Sequence, residues 1–207
     1  MLATTSGLYN YFVPEKEDLD AAIEQDPKKG GFMRWRNNAL LQLDVNYRWS
    51  PIVFDARGHN GLSEDDLKAR AYEGYPGGDL RAGDRAPNAP ALISTDGAER
   101  SLFDLFKPTF HTVLVFASQG DEAEIVQAAQ AYPADIVHIV ILGKSAVPQT
   151  VAGMQSYHDK EGHAYRAYRV DGDTVTLVVV RPDGYVGAVV YDLTELQTYF
   201  SRIFRGF

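Results

Sequence analysis

The run Leu177-Val178-Val179-Val180-Arg181-Pro182-Asp183-Gly184-Tyr185-Val186-Gly187 leaves this chain few options. Valines are stiff at χ1 and fit a pleated surface better than a helix. Proline presets the first dihedral of a tight turn, and glycine supplies a left-handed position. The run therefore reads as a buried strand, a Pro-Asp-Gly turn and a second strand. The predicted hairpin spans Thr174 to Tyr191.

Elements upstream of the hairpin follow a regular order. Ala91 to Ser94 is a short strand, and Ser101 to Phe106 a helical turn with Leu102, Leu105 and Phe106 inward. Thr112 to Ala117 and Asp135 to Leu142 are apolar runs of strand length. Between them, Asp121 to Tyr132 carries Ile125, Val126, Ala129 and Tyr132 at helical spacing. Val151 to Tyr157 reads as a helix. After the hairpin, Thr194 and Gln197 form a capping box for a helix striped by Leu196, Tyr199, Phe200 and Ile203. Strand–helix–strand calls for a right-handed crossover and a parallel pair. The hairpin and last helix then complete an α/β arrangement of the thioredoxin-like kind, βαβ followed by ββα.

Residues 1–79 have a different character and are expected to form an N-terminal helix and strand extension packed on a domain at 80–207. Glu15 to Asp26 reads as a helix stopped by Pro27 and Gly30-Gly31. Leu41 to Trp49 alternates, with odd positions apolar or aromatic and even positions polar, the period of a half-buried strand. Ser63 is a good N-cap with Asp66 three residues on, and that helix should end near Gly74. Gly74-Tyr75-Pro76-Gly77-Gly78-Asp79 reads as a linker.

Composition narrows the chemistry. The chain has no cysteine, so disulfides, thiolate nucleophiles and zinc-thiolate sites are closed to it. A net charge of −8 argues against nucleic acid and against an anionic membrane surface. The N-terminus lacks a signal-peptide pattern, and no apolar run approaches the ~20 residues of a membrane span. A soluble, cytoplasmic protein is the expectation. No His, Asp and Glu cluster has ligand spacing, so no metal is expected. No Gly-x-Ser-x-Gly elbow anchors a hydrolase triad.

Ala82-Gly83-Asp84-Arg85-Ala86-Pro87-Asn88-Ala89-Pro90, with Gly97 and Ser101 to Phe106, resembles the opening of a peroxiredoxin-like thioredoxin fold. With Arg181 to Val186 it resembles the C-terminal domain of FAD-dependent aromatic hydroxylases of the phenol-hydroxylase type. The likeness covers roughly 80–207 and extends more weakly to Asn46 to Pro51, similar to the segment that joins the flavin domain to that domain. No Gly-x-Gly-x-x-Gly turn opens a strand-to-helix unit, so no flavin or other cofactor is expected. Ser118-Gln119-Gly120-Asp121 stands where redox thioredoxins carry Cys-x-x-Cys, and no proline precedes the hairpin at Gly172 to Val175. The resemblance implies a stand-alone copy of a hydroxylase domain, similar to accessory proteins of fungal aromatic-polyketide pathways.

Candidate site residues gather around the alternating segment. Asp44 is the candidate acid or base and Arg48 its phenolate-binding partner; pairing with Arg48 would favour a base. Arg34, Trp35 and Tyr47 are candidates for holding and stacking an aromatic ring. His59, in the loop Arg57 to Gly61, is the most plausible catalytic histidine. The plainer alternative is that the aromatics pack the extension on the core while Asp44 and the arginines face solvent.

Two functions follow. One is a cofactor-independent enzyme acting on a phenolic, polyketide-like molecule. It would close a ring by adding a hydroxyl to an alkene, or isomerise its substrate. The other is a non-catalytic interaction module, since the resemblance implies a domain that contributes dimer contacts. A homodimer is expected in either case.

Overall fold

The chain divides into two compact units, Met1–Asp44 and Val45–Phe207. A computed structural model describes residues 45–116, 132–144, 154–171 and 174–204. The expected helix 15–26, residues 41–44 of the expected strand and nearly all of helix 121–132 lie outside the described residues.

The described elements are β1 (Phe54–Asp55), α1 (Glu64–Ala69), β2 (Leu92–Ser94), β3 (Glu99–Arg100), α2 (Leu102–Leu105), β4 (His111–Phe116), β5 (Val137–Gly143), β6 (Gln155–His158), α3 (His163–Ala167), β7 (Thr176–Val180), β8 (Val186–Val190) and α4 (Leu193–Ile203). Eight strands form one mixed sheet in the order β1-β8-β7-β4-β5-β6-β2-β3. The β4, β5 and β6 strands run parallel to one another, while β7 pairs antiparallel with both β4 and β8.

Valine-rich strands end in the middle of this sheet because both faces there are covered. All six residues of β4 are buried, as are all five of β7 and of β8. The two-residue period divides them between two apolar layers. Leu114, Phe116, Leu142, Val178 and Val180 face Tyr165, Tyr168, Leu92 and Leu102. Val113, Val115, Ile141, Leu177 and Val179 face Leu196, Tyr199 and Phe200 of α4. The hairpin turn is as expected: the Gly184 amide donates to the Arg181 carbonyl at 2.9 Å, with Gly184 at φ +80°.

Several elements differ from expectation. The expected helix over 151–157 is the strand β6 from Gln155 onward. Four residues are too few to show a period, and pairing with β5 and β2 decides the matter. Asp192, not Thr194, caps α4: its carboxylate accepts from the Glu195 amide at 2.9 Å. Ser63 does cap α1 through the expected box with Asp66, but that helix ends at Ala69, before Gly74. Residues 45–49 are irregular backbone and turn, without a ladder. No helix among the described residues is long and apolar enough to cross a membrane.

Candidate functional site

Segment 45–49 alternates in burial, but in the opposite sense to its apolar pattern. Asn46 and Arg48 are buried at 1% and 5% exposure, whereas Tyr47 is 40% exposed. The reason lies in the carbonyls that follow α1, which have no partner in the helix. Asn46 Nδ2 donates to the Arg70 carbonyl at 2.8 Å and to that of Glu73 at 3.1 Å. The Asn46 amide donates to Ala71 at 2.9 Å, and Arg48 Nη1 to the Glu73 carbonyl at 3.1 Å. Polar side chains turn inward here because backbone carbonyls beyond the helix accept hydrogen bonds from them.

Gly83 locks this segment against the sheet. Its amide donates to Val186 of β8 at 2.7 Å, and its carbonyl accepts from Tyr47 at 2.8 Å. It sits at φ +97°, and a Cβ there would lie 2.5 Å from the Arg48 backbone nitrogen. Glycine is required by the backbone conformation and by the close approach. The next residue, Asp84, then meets Arg48: Nε donates to Oδ1 at 2.7 Å. Oδ2 accepts from the Arg81 amide at 2.8 Å. Burial pushes the Asp84 carboxyl above the ordinary 3.8, against the opposing pull of Arg48.

Tyr75 stands at the middle of the cluster. The Arg81 guanidinium lies 4.4 Å and that of Arg48 5.4 Å from its ring centroid, within cation–π range. His59 lies 6.5 Å away, ring to ring. Burial pushes His59 below 6.5; the charges of Arg81, Arg48 and Arg57 add to this and Asp55 opposes it. Asp55, its side chain fully buried, accepts from Arg57 Nε and Nη2 at 2.8 and 2.7 Å and from the Ala82 amide at 3.0 Å. His59 Nδ1, Tyr75 Oη and Arg81 Nε are buried without a hydrogen-bond partner among the described residues.

A cleft of about 440 Å³ opens beside this cluster. Its polar lining includes Arg48, Asp79, Asp84, Arg166 and Arg169, with Leu80, Pro87 and Ala167 as apolar wall. It therefore offers a largely buried acid, several guanidinium groups and an apolar wall.

Of the residues singled out from sequence, Arg48 lines the cleft, while His59 lies against Tyr75 and outside the lining. Tyr47 belongs to an aromatic group with Trp49 at 5.8 Å and Tyr185 at 4.9 Å, also outside the lining. Asp44, Arg34 and Trp35 lie outside the described residues. Sequence reasoning missed Tyr75, Arg81 and Asp84 as site residues. Tyr75 sits in a stretch that reads as linker, and Asp84 in a motif that reads as fold signature. Among the described residues no group of His, Asp and Glu is placed to hold a metal ion.

A pyrophosphate-bearing cofactor does not fit these helix ends. Each of the four described helices already has a carboxylate at its N-terminus: Asp66 for α1, Asp104 for α2, Asp159 for α3 and Asp192 for α4. Asp159 and Asp192 take first-turn amides that a phosphate would use, and all four carboxylates repel its charge.

Comparison with known proteins gives four likenesses. Residues 98–206 match the family model described as phenol hydroxylase, C-terminal dimerisation domain. A flavin-dependent monooxygenase of Mycobacteroides abscessus is 26% identical over 164 residues, which is 79% of this chain and 23% of that protein. The chain thus spans less than a quarter of the relative's length. Among solved structures, a domain of a possible thiol-disulfide isomerase from Cytophaga hutchinsonii superposes with a TM-score of 0.50 at 17% identity, over 60% of this chain and 93% of that one. The flavin-dependent monooxygenase PieE, solved with FAD and substrate, gives 0.48 at 20% identity, over 91% of this chain and 32% of that one. The fold is thioredoxin-like α/β, as the element order implies.

Proposed function

This chain belongs to the phenol hydroxylase C-terminal dimerisation domain family, and on that premise we propose that it binds a phenolic, polyketide-like molecule and transforms it by acid–base chemistry without a redox cofactor. The observation that carries the reading is the buried Arg48–Asp84 pair on the wall of a cleft. Burial raises the pKa of this carboxyl while Arg48 opposes the rise, and a carboxyl so placed on a cleft wall can exchange a proton with a bound phenol. Arg48 orients it and supplies positive charge where a phenolate would develop.

The reaction best suited to these groups is ring closure by addition of a phenol hydroxyl across an alkene. The phenol proton leaves the oxygen, a carbon–oxygen bond forms, and a proton is delivered to the other alkene carbon. Mass is unchanged and no electrons are exchanged. Isomerisation of an alkene would use the same two proton transfers. Asp84 takes the role that the sequence alone offers to Asp44. Asp44, Arg34 and Trp35 remain candidates on sequence grounds, with Tyr47 and His59 as neighbours of the cluster.

The test is direct. The purified chain is mixed with prenylated phenols and the products are separated. Isomers of unchanged mass, lost in a folded Asp84→Asn variant, support the reading. No conversion across a panel of alkenyl phenols would sink it.

Family membership favours a second reading: association, with a second copy of this chain or with a hydroxylase. Sedimentation of the purified chain as a dimer supports that role, and a monomer at all concentrations opposes it.

A further inference from the structure

Building on the reading of the cleft as a site for phenolic molecules, we propose that the ligand carries a carboxylate and that Arg169 is the cation that receives it. The class is aromatic acids, hydroxybenzoates included.

Of the three non-glycine residues with a left-handed backbone among the described residues, Asn60, Ala91 and Arg169, the cleft is lined by Arg169. Helix α3 closes with two hydrogen bonds: the Val170 amide donates to the Tyr165 carbonyl at 2.9 Å, and the Arg169 amide to that of Arg166 at 3.3 Å. This is the Schellman arrangement, whose central residue is left-handed and is usually glycine. Here φ is +57° and the residue is arginine. An L side chain is strained in that region. The same helix has a glycine at φ +68° at its other end, Gly162. What the position gains from arginine in place of glycine is its side chain, at the rim of the cleft.

Charge points the same way. Arg48 is engaged by Asp84 and the Glu73 carbonyl. Arg166 donates to the Glu161 carbonyl at 2.5 Å and lies 2.9 Å from His163 Nδ1. Asp79 and Arg81 lie 3.7 Å apart. The Arg169 side chain has no hydrogen bond or acidic partner among the described residues, although the chain has 28 acidic residues against 20 basic ones. Its planar fork matches a carboxylate in two parallel hydrogen bonds. Leu80, Pro87 and Ala167 then receive the ring.

The experiment is calorimetric titration of the full chain at low salt with sodium salicylate and sodium benzoate, and with their uncharged counterparts phenol and benzamide. The acids are expected to bind roughly three- to tenfold more tightly than the neutral compounds. Raising salt to roughly 1 M should remove that margin and leave the neutral compounds unaffected. Arg169→Gly should lose the margin while its thermal midpoint holds or rises, since glycine suits the backbone. Arg169→Lys should keep part of it. Equal binding of phenol and salicylate by the natural chain would overturn the carboxylate assignment and leave the phenolic reading standing. An undiminished margin in Arg169→Gly would overturn the role of that residue. Failure of all four compounds to bind would overturn both readings together.

Discussion

Arg48 reaches across the fold to hold Asp84, Nε to Oδ1 at 2.7 Å, with only 4% and 13% of the two side chains exposed. Breaking such a pair from one side leaves a buried charge without its counterpart. Arg48→Ala is therefore expected to lose about 3–5 kcal/mol of stability. Asp84→Asn keeps an acceptor for Nε and should lose less, about 1–3 kcal/mol. The double variant Arg48→Met with Asp84→Leu should lie closer to the natural chain than Arg48→Ala does. Urea denaturation of the three variants decides this; equal losses in all three would mean the pair is uncoupled.

The approach of Gly83 to the Arg48 backbone makes a sharper prediction. Alanine there would put a Cβ 2.5–2.6 Å from backbone atoms of Arg48 and Tyr47, at a φ of +97°. Neither backbone has a rotamer by which to yield. Gly83→Ala should lose about 2–4 kcal/mol and displace Arg48 from Asp84. Denaturation combined with the activity assay on alkenyl phenols checks both effects. A fully stable variant would show that segment 45–48 does not rest on Gly83.

Acid should weaken the fold through His111. It is buried at the edge of an aromatic group, 5.5 Å from Phe204, 5.9 Å from Phe200 and 6.4 Å from Tyr199, ring to ring. Burial, with help from Arg181 and against Asp183, pushes its pKa below 6.5. The unfolded chain then takes up a proton at about 6.5 that the folded chain refuses. Stability falls as pH drops below about 6.5, down to the folded value, and is unaffected above. His59 has the same sign. Asp84 has the opposite one: its raised value makes stability fall as pH rises from 3.8 to the folded value. His111→Phe should flatten the loss between pH 7 and pH 5, measured by urea midpoints. An unchanged slope would assign the acid sensitivity elsewhere.

The central sheet was legible because its strands are buried on both faces. Leu177 to Val180 and Val113 to Phe116 are apolar without interruption, and no helix period competes. β6 was not legible, because Gln155 to His158 is a strand only by virtue of β5 and β2 on either side. The site was half legible. Arg48 stood out by its neighbours in sequence, yet its carboxylate partner is 36 positions away and not at Asp44's spacing. Alternation at 45–49 gave the right period and the wrong face, since hydrogen bonds to the carbonyls that follow α1 outweighed the exposure of Tyr47. Patterns along a chain report burial of apolar groups well; they do not report which backbone groups lack partners.

Gly187 and Tyr199 offer the cleanest test of packing on the α4 face. A Cβ on Gly187 would overlap the Tyr199 hydroxyl and lie 2.7 Å from its Cζ and 2.9 Å from Arg181 Cγ. That hydroxyl is buried without a hydrogen-bond partner among the described residues, and burial holds its pKa well above the ordinary 10. Removing an unsatisfied buried hydroxyl removes a desolvation penalty, so Tyr199→Phe should be neutral or stabilising by up to about 1 kcal/mol. Gly187→Ala alone should be costly, about 1–3 kcal/mol, because it overfills a packed layer. In the Tyr199→Phe background part of that overlap is gone. The two changes should therefore couple, with Gly187→Ala losing about 1 kcal/mol less there than in the natural chain. Four denaturation curves complete the cycle. Strict additivity would mean that the tyrosine ring swings clear of the new methyl, and that the α4 layer is looser than its fully buried aromatic side chains imply.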